Sequence, residues 1–141
     1  MIELQKKSPK LLVIGDLMID HYLWGSCELI SPEAPVQVIN VESESTMLGG
    51  AGNVINNLKA LGAQVDVISV VGNCKTSDEL KELLSDIEVD TQYLITQKNR
   101  ITSKKSRIIA AQQQVVRYDR ESIDEINIES QSIIINTFKK V

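Results

Sequence analysis

A chain of 141 residues, 43% of them hydrophobic and 24% charged, has enough apolar material for the core of one domain and too little length for two of ordinary size. Against 19 Asp and Glu stand 15 Lys and Arg, and a formal net charge of −4 argues against a dedicated nucleic-acid binder, which carries a basic surplus. No apolar run approaches the roughly 18 to 20 residues of a membrane span, and Met1–Ser8 lacks the apolar core of a signal peptide, so the expectation is a cytoplasmic protein with no membrane partner.

Lys10–Ile14 followed by Gly15-Asp16 reads as a buried strand stopping at a turn. Ser31-Pro32-Glu33-Ala34-Pro35 forces an extended entry into Val36–Val41, whose apolar residues fall on both faces and predict a strand covered on both sides. Gly49-Gly50-Ala51-Gly52-Asn53 then opens a helix to Gly62, with Val54, Leu58 and Leu61 as its apolar stripe and Gly62 as its C-terminal glycine. Gln64–Val71, closed by Gly72, is the next buried strand. Thr76-Ser77-Asp78-Glu79 has the form of a capping box ahead of a helix carrying Leu80, Leu83, Leu84 and Ile87 on one stripe. Val89–Ile95 reads as a further strand. The alternation of strands and helices predicts an α/β sheet with parallel strands.

From Thr102 to Asp119 helical stripes vanish, and two strands, roughly 103–111 and 114–119, are expected to form a small separate sheet. The tail from Ile128 to Val141 reads as a helix. A parallel sheet needs cover on both faces and neighbours for its central strands, so the layer is expected to be unfinished: a second copy covers the open edge or the polypeptide continues.

Chemistry-bearing residues gather in three places. Gly49-Gly50 at a helix start lets the backbone approach a ligand closely, and Asn53, one turn on, offers a donor and an acceptor suited to sugar hydroxyls; the alternative is a tight turn and close helix packing. Asp16 and Asp20 follow the first strand, where open α/β sheets bind ligands, and a carboxylate there accepts hydrogen bonds from neighbouring hydroxyls; the alternative is a turn or cap aspartate. Lys105 and Arg107, two apart on a strand, project from one face and with Arg117 form a possible phosphate clamp; the alternative is a solvated strand face.

Other constellations fail on spacing. Gly72-Asn73-Cys74-Lys75-Thr76 lacks the glycines of a P-loop, and the Gly49 segment lacks the dinucleotide-binding register. Cys27 and Cys74 are too far apart in sequence for a metal-binding pair and are expected to be free thiols, and His21 has no nucleophile motif beside it. No metal ligands are expected.

The glycine segment with Gly62 and Gly72 at their spacings resembles the first signature of the ribokinase-like (PfkB) carbohydrate kinases, with Ile55 where that signature prefers a small residue. Within that family, Val13–Asp20, Trp24-Gly25, Ile30–Val36 and Gln113–Asp119 are similar to heptose-7-phosphate kinases fused to an adenylyltransferase, as is Lys105-Ser106-Arg107, with Lys104 in place of a Thr.

The resemblance implies an incomplete ribokinase-like parallel sheet with flanking helices and a small β-sheet lid, its strands at about 20–25, 36–44 and 103–119. Residues 1–141 would form the N-terminal portion of the kinase, without the C-terminal half or an adenylyltransferase domain. It further implies sugar contacts from Asp20, Gly49, Gly50 and Asn53, and 7-phosphate contacts from Lys105, Arg107 and Arg117. The parent reaction would use ATP and Mg²⁺ to phosphorylate the anomeric hydroxyl of D-glycero-β-D-manno-heptose 7-phosphate. The catalytic aspartate of such kinases lies in a Gly-Ala-Gly-Asp segment with no match here, so this stretch is expected to carry no catalytic residue, bind no cofactor and be inactive alone. A homodimer through the lid strands is expected. A non-catalytic dimerisation or sugar-binding module and a family kinase for another sugar are the competing readings.

Overall fold

The computed structural model describes residues 8–141; the segment 1–7, which holds most of the stretch read above for a signal peptide, lies outside the described residues. Two sheets organise the chain. The first is parallel, with strand order β1-β4-β5, from β1 (Lys10–Ile14), β4 (Gln64–Gly72) and β5 (Leu94–Gln97). The second has order β3-β2-β6-β7, from β2 (Leu17–Ile30), β3 (Gln37–Gly50), β6 (Ser103–Ala110) and β7 (Gln113–Arg120). Helices α1 (Ala51–Ala60), α2 (Lys75–Asp86) and α3 (Ile128–Phe138) complete the architecture.

Alternation along β4 divides the core. Val65, Val67 and Val71 face the cluster shared with Ile55 of α1, Leu80 and Leu84 of α2, and Leu17, Ile19 and Leu48 at the base of the second sheet. Ile68, fully buried, points to the other face, where α3 packs on β4 and β5. Leucines four apart lie on one helix face, which is why Leu80 and Leu84 both reach the core while Glu82 and Ser85 stay in solvent.

The second sheet occupies the segments expected to form the lid, the name used for it below, and it is larger than expected. Its strands run over residues 17–30 and 37–50 rather than 20–25 and 36–44, because β2 and β3 continue their antiparallel pairing down to Leu17↔Gly50. The expected 103–119 segment divides into β6 and β7 around a two-residue turn, Ala111-Gln112, with both φ angles positive (49° and 64°), a geometry that follows the right-handed strand twist. β2 and β6 run parallel, so two hairpin-like pairs join through their central strands.

Four expectations are corrected. Val36 and the edge strand β3 are not covered on both sides: Val36, Val38 and Val41 are exposed. The buried face of α1 is Gly52 and Ile55, with Leu58 partly buried, whereas Val54 and Leu61 are exposed at 50% and 84%. The helix begins at Ala51, three residues earlier than its apolar stripe suggested, and Ile55 fills the core where the family signature prefers a small side chain. Thr76 is not a cap: the N-cap of α2 is Cys74, Ser77 turns its hydroxyl back to the Cys74 carbonyl, and Glu79 is taken by Lys104. Finally, residues 89–93 are not strand, because Asp90 accepts from the Gln92 N–H at 2.9 Å and turns the chain, so β5 starts at Leu94.

Gly62 behaves as expected, with φ +87° after α1, its N–H donating to the Lys59 carbonyl at 2.9 Å.

Candidate functional site

Pairing register places the site residues. Asp20 of β2 lies opposite Lys105 of β6, which lies opposite Asp119 of β7; one step on, Tyr22 lies opposite Arg107 and Arg107 opposite Arg117. Partners across a ladder share a face, so Asp20, Tyr22, Lys105, Arg107, Arg117 and Asp119 project from one side of the lid. Met18 and its partner Gly49 continue that face to the base of the sheet.

Here the absence of a side chain at Gly49 has a direct cause. A Cβ built on Gly49 falls 2.8 Å from Asp20 Cγ and 2.9 Å from Met18 Cγ, so only glycine lets the carboxylate lie against the strand backbone. Gly50 follows with φ +56°, a region costly for other residues, and a Cβ there would meet the Asp16 carbonyl oxygen at 2.8 Å. That carbonyl accepts the Ala51 N–H at 3.0 Å, so the turn after β1 is tied to the first residue of α1. Asn53 stands exposed on the first turn of α1, one helical turn past this bend.

Electrostatically the cluster is closed on itself. Arg107 Nη1 donates to Asp20 Oδ1 at 2.5 Å and its guanidinium lies over the Tyr22 ring, 5.1 Å from the centroid. Tyr22 in turn stacks with Trp24 at 6.0 Å. Lys105 Nζ donates to Asp119 at 3.1 Å and to Glu121 at 3.2 Å, and Arg117 Nε reaches the other Asp119 oxygen at 3.1 Å. Three cations are thus matched by three carboxylates. The hydrogen bond from Lys105 holds the Asp119 carboxyl below its usual range, and the same bond holds the Lys105 ammonium above its own. The bond to Asp20 likewise raises Arg107.

A hollow of about 630 Å³ opens beside this cluster, beyond the carboxyl ends of the parallel strands, lined by Asp16, Met18, Thr102, Ser103, Glu121 and neighbours. Glu121 belongs to both: it receives Lys105 and forms part of the hollow's wall.

Of the residues expected at the site, the structure gathers Asp20, Gly49, Lys105, Arg107 and Arg117 on one lid face, with Gly50 at its base. Asp16 lines the hollow instead, and its main-chain oxygen has a structural task at α1. Asn53 adjoins the glycine bend along the chain but sits on the helix, not on the lid. Sequence reasoning missed Asp119, Glu121 and Tyr22. The signal for Asp119 was present, since it is two residues from Arg117 and so shares its face; Glu121 lies beyond the strand, where alternation says nothing.

A family model described as pfkB family carbohydrate kinase matches residues 8–139. The bifunctional protein HldE of Aliarcobacter butzleri is 66% identical over 134 residues, covering 95% of this chain and 28% of that protein. The bifunctional protein HldE of Sulfurimonas denitrificans is 56% identical over 137 residues, covering 97% of this chain and 29% of that one. The chain therefore spans little more than a quarter of the length of these curated relatives. Among solved structures, a carbohydrate kinase from Agrobacterium tumefaciens superposes with a TM-score of 0.62 at 24% identity, over 79% of this chain and 35% of that one. Arabidopsis thaliana ribokinase complexed with ribose and ATP gives a TM-score of 0.60 at 17% identity, over 90% and 42%. At such identities the structural likeness speaks for the fold alone, which is that of a ribokinase-like α/β protein. With the family model spanning nearly every residue, the chain belongs to the PfkB carbohydrate kinase family.

Proposed function

We propose that this chain is the sugar-binding and lid portion of an ATP-dependent kinase acting on D-glycero-β-D-manno-heptose 7-phosphate, phosphorylating its anomeric hydroxyl to give the 1,7-bisphosphate for ADP-heptose and lipopolysaccharide-core synthesis. The observation that carries the reading is the Asp20 carboxylate laid against the bare backbone of Gly49, with Arg107 and Lys105 on the same sheet face. Identities of 66% and 56% to bifunctional HldE proteins accord with the resemblance to heptose-7-phosphate kinases fused to a second domain, and that resemblance is what favours the heptose.

The charge balance suggests how these residues work. Arg107 holds Asp20 and Lys105 holds Asp119 and Glu121, so a sugar phosphate enters by exchange. A phosphate dianion offers Arg107 a bidentate partner that a single carboxylate oxygen does not, and its capture releases Asp20 Oδ1 to accept from sugar hydroxyls. Phosphate recognition and hydroxyl recognition are then one coupled event. A lid so engaged excludes water from the transfer, limiting ATP hydrolysis.

ATP and Mg²⁺ supply the phosphoryl group and its charge neutralisation in such kinases. Among the described residues no group of three His, Cys, Asp or Glu side chains is arranged to hold a metal ion. The 141 residues contain no Gly-Ala-Gly-Asp segment, and we propose that alone they form no bisphosphate. We also propose a cytoplasmic location, where ATP is available, and a homodimer through the lid. Trp24, Leu29, Ile30, Val38, Val115 and Val116 are exposed toward its far end, an apolar area of the kind that marks protein contacts.

Calorimetry with heptose 7-phosphate and unphosphorylated heptose tests the assignment. Arg107→Ala and Lys105→Ala should each weaken binding of the phosphorylated sugar about tenfold, the loss of one charge-assisted contact; neither should weaken binding of the unphosphorylated sugar, and Arg107→Ala, which frees Asp20, should strengthen it. Unchanged affinity for the phosphorylated sugar in both variants rules out the clamp.

A further inference from the structure

The opposite face of the lid carries a second set of polar groups that the sugar site does not use. His21 of β2, Lys104 and Ser106 of β6, and Arg120 of β7 alternate with Asp20, Lys105, Arg107 and Asp119 and therefore point to the other side, toward the first turns of α2. Between this face and α2 lies a hollow of about 400 Å³, lined by His21, Lys75, Thr76, Glu79, Lys104 and Arg120 among others.

The charge count here differs from that of the sugar side. Lys75, Lys104 and Arg120 meet one carboxylate, Glu79, which is bound by Lys104 at 2.9 Å. Among the described residues neither Lys75 nor Arg120 has an ion-pair partner. Lys104 and Arg120 are moreover direct cross-strand partners, an arrangement in which like charges repel. Asp78 on the first turn of α2 is exposed and does not line the hollow, and Glu44, on the neighbouring wall, is engaged by His21 Nε2 at 3.2 Å. The helix end itself contributes little, because the N–H groups of Ser77 and Asp78 donate to the Cys74 carbonyl oxygen. The side chains make this hollow cationic.

We propose that this hollow is a second anion site, distinct from the sugar clamp, that takes a phosphate-type oxyanion. Arg120 and Lys75 supply the unneutralised charge, Lys104 is shared with Glu79, and the Thr76 hydroxyl is a further donor at the wall. An occupant would join β6 and β7 of the lid to α2 across a gap now bridged by the Lys104–Glu79 pair, and would relieve the repulsion between Lys104 and Arg120.

The test is a titration of the ¹⁵N-labelled 141-residue chain with inorganic phosphate at fixed ionic strength, with chloride as the control salt. Saturable shifts of the Lys75, Thr76, Lys104 and Arg120 amides are expected with phosphate and not with chloride. In the Lys75→Gln/Arg120→Gln double variant, both sites being exposed and unpaired, the fitted affinity should fall about tenfold or more for the loss of two charged donors. Shifts confined to Lys105, Arg107 and Arg117 would mean that phosphate binds the sugar side only and would overturn the proposal. So would equal affinity in the double variant, or shifts that grow linearly with either salt.

Discussion

The ion pair between Arg107 and Asp20 can be weighed by a double-mutant cycle of Arg107→Gln, Asp20→Asn and the two combined. Both side chains are 20% exposed, which puts the pair between an exposed ion pair, worth about 0–1 kcal/mol, and a shielded charged hydrogen bond, worth about 1.5–3 kcal/mol. A coupling energy of about 1 kcal/mol follows from that intermediate position. Arg107→Gln also removes the guanidinium from the Tyr22 ring, adding about 0.5 kcal/mol, so this variant should lose more stability than Asp20→Asn. Urea unfolding followed by the fluorescence of Trp24, the single tryptophan and a stacking partner of Tyr22, reads all four proteins. Additivity of the single losses to within about 0.3 kcal/mol would show that the pair is not coupled and remove the exchange step proposed above. Saturation with heptose 7-phosphate should abolish the coupling, because the phosphate then occupies Arg107.

The remaining predictions concern the scaffold and its titration. Gly72→Ala should cost at least about 3 kcal/mol in the same unfolding assay, since its Cβ would overlap the Arg100 carbonyl backbone and lie 3.2 Å from Thr102 N; a loss below about 1 kcal/mol counts against the packing described. Gly62→Ala, with nothing within 4 Å but φ +87°, should cost only about 1 kcal/mol from backbone strain. Asp119, held below its ordinary 3.8, contributes stability above that value that is lost as pH falls through its lowered folded value, so Asp119→Asn should differ from the parent at neutral pH and converge with it in acid. Lys105, held above 10.5, contributes stability fully present below that value and lost as pH rises through its raised folded one, so Lys105→Met should converge with the parent only in strong alkali. Burial pushes the Cys74 thiol up, but N–H groups of Thr102, Ser77 and Thr76 outweigh it and hold the thiol below 9.0. Iodoacetamide at pH 7.5 should therefore modify Cys74 faster than Cys27, and the reverse order would contradict that hydrogen-bond set.

Much of this was legible in the sequence because local chemistry decided it. The apolar run of β4, the leucines of α2, the left-handed glycine after α1 and the charged alternation of β6 each have one structural solution. The failures arose where tertiary context overrode pattern. Val54 and Leu61 suggested a stripe, yet the close approach of Gly52 to Leu48, 3.0 Å from a built Cβ, rotates α1 so that Ile55 faces the core. Thr76 and Glu79 had capping-box spacing, but Lys104 arrives from another sheet to take Glu79. At the site, residue types could be named in advance while their mutual neutralisation could not, since Asp20 and Arg107 are 87 positions apart and meet only through parallel pairing of β2 with β6.

That parallel pairing has a mechanical consequence. β2 and β6 leave the central layer side by side, at Leu17 and Ser103, and β3 returns to Gly50 opposite Leu17, so the strands share a common root. A tilt of the lid about the short line through that root would work like a lever on one pivot. Leu17–Ile30 spans 14 residues, about 45 Å at strand rise, so a 10° tilt sweeps its tip by about 8 Å while a point 10 Å from the pivot moves under about 2 Å. Asp20 and Gly49 lie close to that fulcrum. A large excursion at the apolar tip would therefore leave the carboxylate and its glycine nearly in place.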